Sequence, residues 1–129
     1  MLLALLLHFV GDYVTQSDWM ANEKTKASLP AAIHALVYTL PFLLLTQSPL
    51  ALAVIAGTHF AIDRWRLARF VVFAKNFIAP RSAWPTWERC KGTGYDMDRP
   101  PWLAVWLLII ADNVMHVAIN AAALQLGVE

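Results

Sequence analysis

Four apolar segments, and the distribution of charge around them, constrain this chain most. The segments cover residues 1–17, 30–46, 49–72 and 102–126. All ten Lys and Arg residues collect in two places: Lys24 and Lys26 separate the first two segments, and the other eight run from Arg64 to Arg99, before the fourth. The Thr46–Pro49 turn and both chain ends carry none. Basic connections face the cytoplasm in membrane proteins. The pattern therefore predicts an all-α fold, a four-helix transmembrane bundle forming one integral membrane domain over 1–129. It is expected to be multi-pass in the inner (cytoplasmic) membrane, N-out and C-out, with a cytoplasmic loop over 76–101 between helices 3 and 4.

Composition agrees. Hydrophobic residues make up 59% and charged residues 15%, against about 45–50% and about 25% in soluble domains. A signal peptide fits residues 1–17 poorly, because the first Lys is Lys24 and His8 and Asp12 interrupt the run. No segment alternates with period two, which excludes barrel strands. Pro30 and Pro49 open their segments, where a missing N–H costs little, and Pro41 is placed to kink the second. The turn at 46–49 predicts a helical hairpin. The lone Cys90 excludes an internal disulfide framework and reads as a free thiol in a polar loop. A net charge of +1 and the lack of a groove-reading motif argue against nucleic acid as a partner. In loop 76–101, Trp84, Trp87 and Trp102 with Arg81 and Arg89 read as a segment lying on lipid headgroups.

The informative residues are polar ones inside the apolar segments. All four histidines, His8, His34, His59 and His116, lie there, as do Asp12, Asp63 and Asp112. An Asp at a span centre costs about 2.5–3.5 kcal/mol on insertion scales, so such groups persist where they face each other, water or a metal. His8/Asp12, His59/Asp63 and Asp112/His116 are each four apart, hence on one helical face. At about 1.5 Å per residue, Asp12, His34 and Asp63 form a shallow layer on the cytoplasmic side. His8, His59 and Asp112 form a deeper one, with His116 deeper still.

Imidazole and carboxylate without thiolate suit a divalent transition metal: zinc first, with iron or manganese as alternatives. The expected ligands are His8, Asp12, His34, His59, Asp63, Asp112 and His116, with Gln16 and Asn113 orienting them. A bound metal supplies a hydroxide near neutral pH, and Asp12 or Asp63 would be the general base. This points to a metal-dependent hydrolase acting on a membrane-associated, lipid-linked substrate. Proton or divalent-ion conduction is the alternative, and modulation of a host membrane partner through loop 76–101 is a third. Interhelical hydrogen bonding is the plain structural reading of these groups, and the one expected for Thr15, Thr39, Thr58 and Asn120. Gly11 and Gly57 read as close-packing positions, and a homo-oligomer sharing the site fits so small a bundle.

The stretches "LLLHFVGDYVTQSDWMANEK", "HALVYTL" and "GTHFAIDRWR" resemble the DUF3307 family of small bacterial and phage membrane proteins over about the first 70 residues. The matching positions are His8, Asp12, Gln16, Asp18, Lys24, His34, His59 and Asp63. The resemblance implies an integral membrane protein of phage or prophage origin and no defined activity. The architecture is also similar to small inner-membrane metal-dependent hydrolases. Asp18 is expected to cap a short helix, and Asp18 with Lys24 offers a way to close the site from the cytoplasmic side.

Overall fold

The computed structural model describes residues 2–126. These form helices α1 (Leu2–Phe9), α2 (Asp18–Glu23), α3 (Ser28–Thr39), α4 (Pro49–Trp65), α5 (Ala68–Ala74), α6 (Trp87–Cys90) and α7 (Pro101–Gln125). No strand occurs among the described residues. Two compact units are distinguished: the chain up to Arg66 together with that from His116 onward, and Leu67–Met115.

In the first unit α1 passes directly into a π-helical turn, Val10–Val14, closed by the Thr15 amide on the Val10 carbonyl at 3.0 Å. The first helix thus ends at Val14, short of the expected residue 17. Pro41 acts as anticipated. It has no N–H to continue the ladder, so α3 stops at Thr39 and Leu40–Leu44 tightens into a 3-10 helix. Ser48 caps α4 by accepting from the Ala51 amide, with Pro49 in the first turn, and α3 packs along α4 as a hairpin. Leu7, Tyr38, Phe42, Ile55 and Ala123 form this unit's apolar core.

The single helix expected over 49–72 is two. Arg66 adopts a left-handed conformation (φ 52°), and its amide returns to the Asp63 and Ile62 carbonyls, ending α4 at Trp65. Helix C-termini close this way when one residue turns left-handed, usually a glycine, and no glycine stands here to announce it. In the second unit, Val72, Tyr95 and Ala104 anchor a smaller core. Cys90 is free as expected, but buried rather than loop-exposed. Burial pushes its thiol pKa up, aided by nearby Asp96.

One helix, Pro101–Gln125, is long and apolar enough to cross a membrane, and only 11% of its apolar window is buried. A core helix of a water-soluble protein would be mostly covered. Leu2–Val14 and Ser28–Leu44 are apolar but shorter, so length alone supports one of the four expected spans. Beside these apolar cores, the histidines are buried and many leucines exposed. His8, His34, His59 and His116 are at most 2% exposed, while Leu2, Leu29, Leu36 and Leu44 are at least 60% exposed.

Two packing expectations divide. Gly11 lies against Tyr38, whereas Gly57 is exposed with nothing within 4 Å of where its Cβ would stand. Thr15, Thr39 and Thr58 do not bridge helices. Each hydroxyl donates to a carbonyl four residues back, at Gly11, Ala35 and Val54. Asn120 does bridge, donating to the Tyr38 hydroxyl.

Candidate metal centre

Four side chains from three elements of the first unit meet at one point. Asp12 comes from the π turn, His34 from α3, and His59 and Asp63 from successive turns of α4, all four buried. Nε2 of His34 lies 3.2 Å from Asp12 Oδ1 and 3.3 Å from Asp63 Oδ2. Nε2 of His59 lies 3.3 Å and 3.1 Å from the same two oxygens, and the two nitrogens are 2.9 Å apart. These five separations, all between 2.9 and 3.3 Å, bring four donor atoms of the nitrogen and oxygen kinds that hold zinc into one group.

The chemistry of the donors agrees with that grouping. A proton can serve one of these contacts at a time, whereas a cation among the four atoms meets them all. Neither His34 Nδ1 nor His59 Nδ1 has a hydrogen-bond partner among the described residues. Both rings direct their polar contacts through Nε2. Packing holds them: the His59 ring stacks on Tyr38 (centroids 3.6 Å apart, planes at 14°) and lies 4.8 Å from the His34 ring. The group could hold a metal ion.

Two further histidines stand behind the carboxylates. His8 Nδ1 is 3.6 Å from Asp12 Oδ2, and His116 Nε2 is 3.5 Å from Asp63 Oδ1. Each carboxylate thus turns one oxygen to the cluster and the other to an imidazole, an arrangement that fixes ligand orientation in metal sites. Tyr38, fully buried, joins the set: its hydroxyl is 2.8 Å from His8 Nδ1 and accepts from Asn120. Tyr38 is not among the expected site residues, although it stands four residues from His34 on the same face of α3.

Lys24 closes one side. Its Nζ is 2.8 Å from Asp63 Oδ2 and 3.2 Å from His34 Nε2, with the side chain 17% exposed. Arg64 steadies that approach by donating to the Thr25 carbonyl at 3.0 Å and to Ser28 Oγ at 3.3 Å. Asp18 takes no such part. Ser17 is the cap of α2, accepting from the Met20 amide, and Asp18 is the exposed first residue of that helix.

The predicted two-layer arrangement is also revised. The layers meet at His59 and Asp63, because side chains on a helix lean toward its N-terminus. The Asp63 carboxylate leans back one turn to meet the imidazole at 3.1 Å. Gln16 lies outside the four-residue group, half-buried, with its Oε1 unbonded among the described residues. The π turn changes the helical phase that would have carried it onto the His8 face. Asp112 and Asn113 belong to the second unit, both half-buried, Asp112 one turn before His116 on α7. The Asn113 amide donates to the Ile109 carbonyl of its own helix.

A family model described as "Protein of unknown function (DUF3307)" matches residues 1–127. The chain belongs to this DUF3307 family. The match carries the resemblance seen in the first 70 residues through α7, so the residues of the cluster and His116 behind it all lie within the family domain. No curated protein and no solved structure matches the chain.

Proposed function

We propose that this DUF3307 protein is a four-span integral membrane protein of the inner membrane, N-out and C-out, that holds one divalent transition metal, zinc foremost, on Asp12, His34, His59 and Asp63. The observation carrying the metal is the buried group of two imidazole nitrogens and two carboxylate oxygens drawn together from three helical elements. The membrane reading rests on the burial pattern, with imidazoles inside and many leucines outside, and on the grouping of the basic residues.

We assign it metal-dependent hydrolysis of a membrane-associated substrate. The bound ion would polarise the scissile group and lower the pKa of a water that it binds. The protein's own residues divide the remaining tasks. Asp12 or Asp63 would serve as the proton acceptor, backed by His8 or His116 respectively. Lys24, at the least buried edge, is placed to meet a negative charge entering from the cytoplasmic side. The specific observation favouring conduction instead is that four protein donors are enough to fill a zinc ion's shell, while His8, Tyr38 and Asn120 continue the polar path beyond them.

Elemental analysis of the detergent-purified full chain tests the metal. About one equivalent of zinc is expected, lost in His34→Ala and His59→Ala. No stoichiometric transition metal in the wild type refutes the site, and metal surviving both substitutions places it elsewhere. With metal established, zinc flux into liposomes that survives Asp12→Asn would favour conduction over hydrolysis.

A further inference from the structure

The second unit carries a groove of about 420 Å³ whose lining includes Ser82, Trp84, Thr86, Arg89, Asp96 and Arg99. Its charges differ in availability. Arg89 is committed: its Nε and Nη2 each donate to Asp96 at 2.8 Å, and Nη2 also reaches Asp98. Arg99 meets the Tyr95 ring at 4.9 Å, and no carboxylate pairs with its guanidinium among the described residues. Lys75 lies over the same ring at 4.4 Å and donates to its hydroxyl, so one phenol holds two cations close together. The Thr86 hydroxyl does not cap α6, and no hydrogen bond from the Ser82 hydroxyl occurs among the described residues. Two hydroxyl donors and an unpaired guanidinium therefore converge on one opening.

Beside the groove stands an exposed apolar edge. Ile78 is 89% exposed, and Phe77 and Trp84, in edge-to-face contact, are 44% and 41% exposed. The Trp84 indole N–H is spent on the Ala79 carbonyl, which fixes the ring. A pocket for soluble phosphate has no use for such an edge, whereas a phospholipid brings an anionic phosphodiester and acyl chains side by side. All of this lies in the basic connection assigned to the cytoplasmic face.

We infer that the Ser82–Thr86–Arg99 groove binds the headgroup phosphate of an anionic phospholipid in the cytoplasmic leaflet, with Phe77, Ile78 and Trp84 entering its acyl layer. Guanidinium and hydroxyl donors match phosphate oxygens, and aromatic and aliphatic residues beside basic ones are how surface segments seat at the bilayer boundary. The inference rests on the membrane reading but not on the metal.

The test is native mass spectrometry of the full chain in uncharged detergent, offered phosphatidylglycerol or phosphatidylcholine. Phosphatidylglycerol should be retained preferentially, and Arg99→Gln should lower its retention about fivefold, the scale of one basic residue at a lipid surface. Ser82→Ala with Thr86→Ala should lower it further. Lys91→Gln, which removes a cation paired with Glu88 away from the groove, should leave retention unchanged. Equal losses in Arg99→Gln and Lys91→Gln would mean general surface charge and overturn the site. Displacement by millimolar inorganic phosphate would identify a free-phosphate site and overturn the lipid assignment. Alkaline carbonate extraction of membranes separates the two levels. A chain that resists extraction yet shows no lipid preference refutes the groove alone, and a chain released by alkali refutes the membrane reading beneath it.

Discussion

Replacing Gly11 with Ala would set a Cβ 2.5 Å from Cδ2 of Tyr38 and 3.1 Å from its carbonyl oxygen. The ring cannot retreat easily. It is fully buried, stacked on His59 at 3.6 Å, and tied through its hydroxyl to His8 and Asn120. Overpacking of this kind costs about 1–3 kcal/mol, against roughly 1 kcal/mol gained by Ala over Gly in a helix. A net loss of up to about 2 kcal/mol follows from the difference. Gly57→Ala is the matched control. Nothing lies within 4 Å of its new Cβ, so only the propensity gain of up to about 1 kcal/mol applies. The two substitutions should move stability in opposite directions, read as thermal unfolding in one detergent by tryptophan fluorescence. Gly11→Ala should also weaken zinc retention, because Tyr38 bears on His59. A Gly11→Ala protein at least as stable as Gly57→Ala would refute the view that Tyr38 is pinned between the glycine and the site.

Lys24→Met removes the cation 2.8 Å from Asp63. The metal-free protein should lose roughly 1–3 kcal/mol, and saturating zinc should recover most of it, since a ligand that binds only the folded state stabilises it; a deficit that zinc leaves unchanged would place Lys24 and the metal at separate sites. The Arg89 guanidinium holds the Asp96 carboxyl down at about 2, below its ordinary value of about 3.9. Because the folded-state value is depressed, the stabilisation is fully present above about pH 4 and disappears as pH falls through about 2. A carboxyl NMR titration of the full chain should give a midpoint near 2 for Asp96, rising toward the ordinary value in Arg89→Gln. An unshifted wild-type midpoint would rule out the clamp.

Much of the site was legible because its residues are costly where they stand. A His and an Asp four apart in an apolar helix need partners, and Asp12, His34, His59 and Asp63 have found one another. Pro41 and Pro49 also declared themselves, since a missing N–H has the same consequence in any context. What escaped depends on tertiary contact. Arg66 breaks the third segment with no local signal. Lys24 is expected to help close the site, but its partner Asp63 is visible only in the fold. Tyr38 looks like core until its hydroxyl is seen between His8 and Asn120. Gly11 and Gly57 look alike on paper, and their surroundings alone distinguish them.

The π-helical turn at Val10–Val14 has a consequence for how this chain tolerates changes in length. It holds one residue more than an α-helix would use over the same rise. Deleting a residue there would leave an acceptable helix, the more regular one on local terms alone, but everything before the deletion would rotate by about 100°. His8 would swing off Asp12, and Leu7 would leave the apolar core. A one-residue shortening that costs nothing in helicity would therefore dismantle the centre, whereas the turn at 46–48, non-helical with Gln47 exposed, has no such phase to keep.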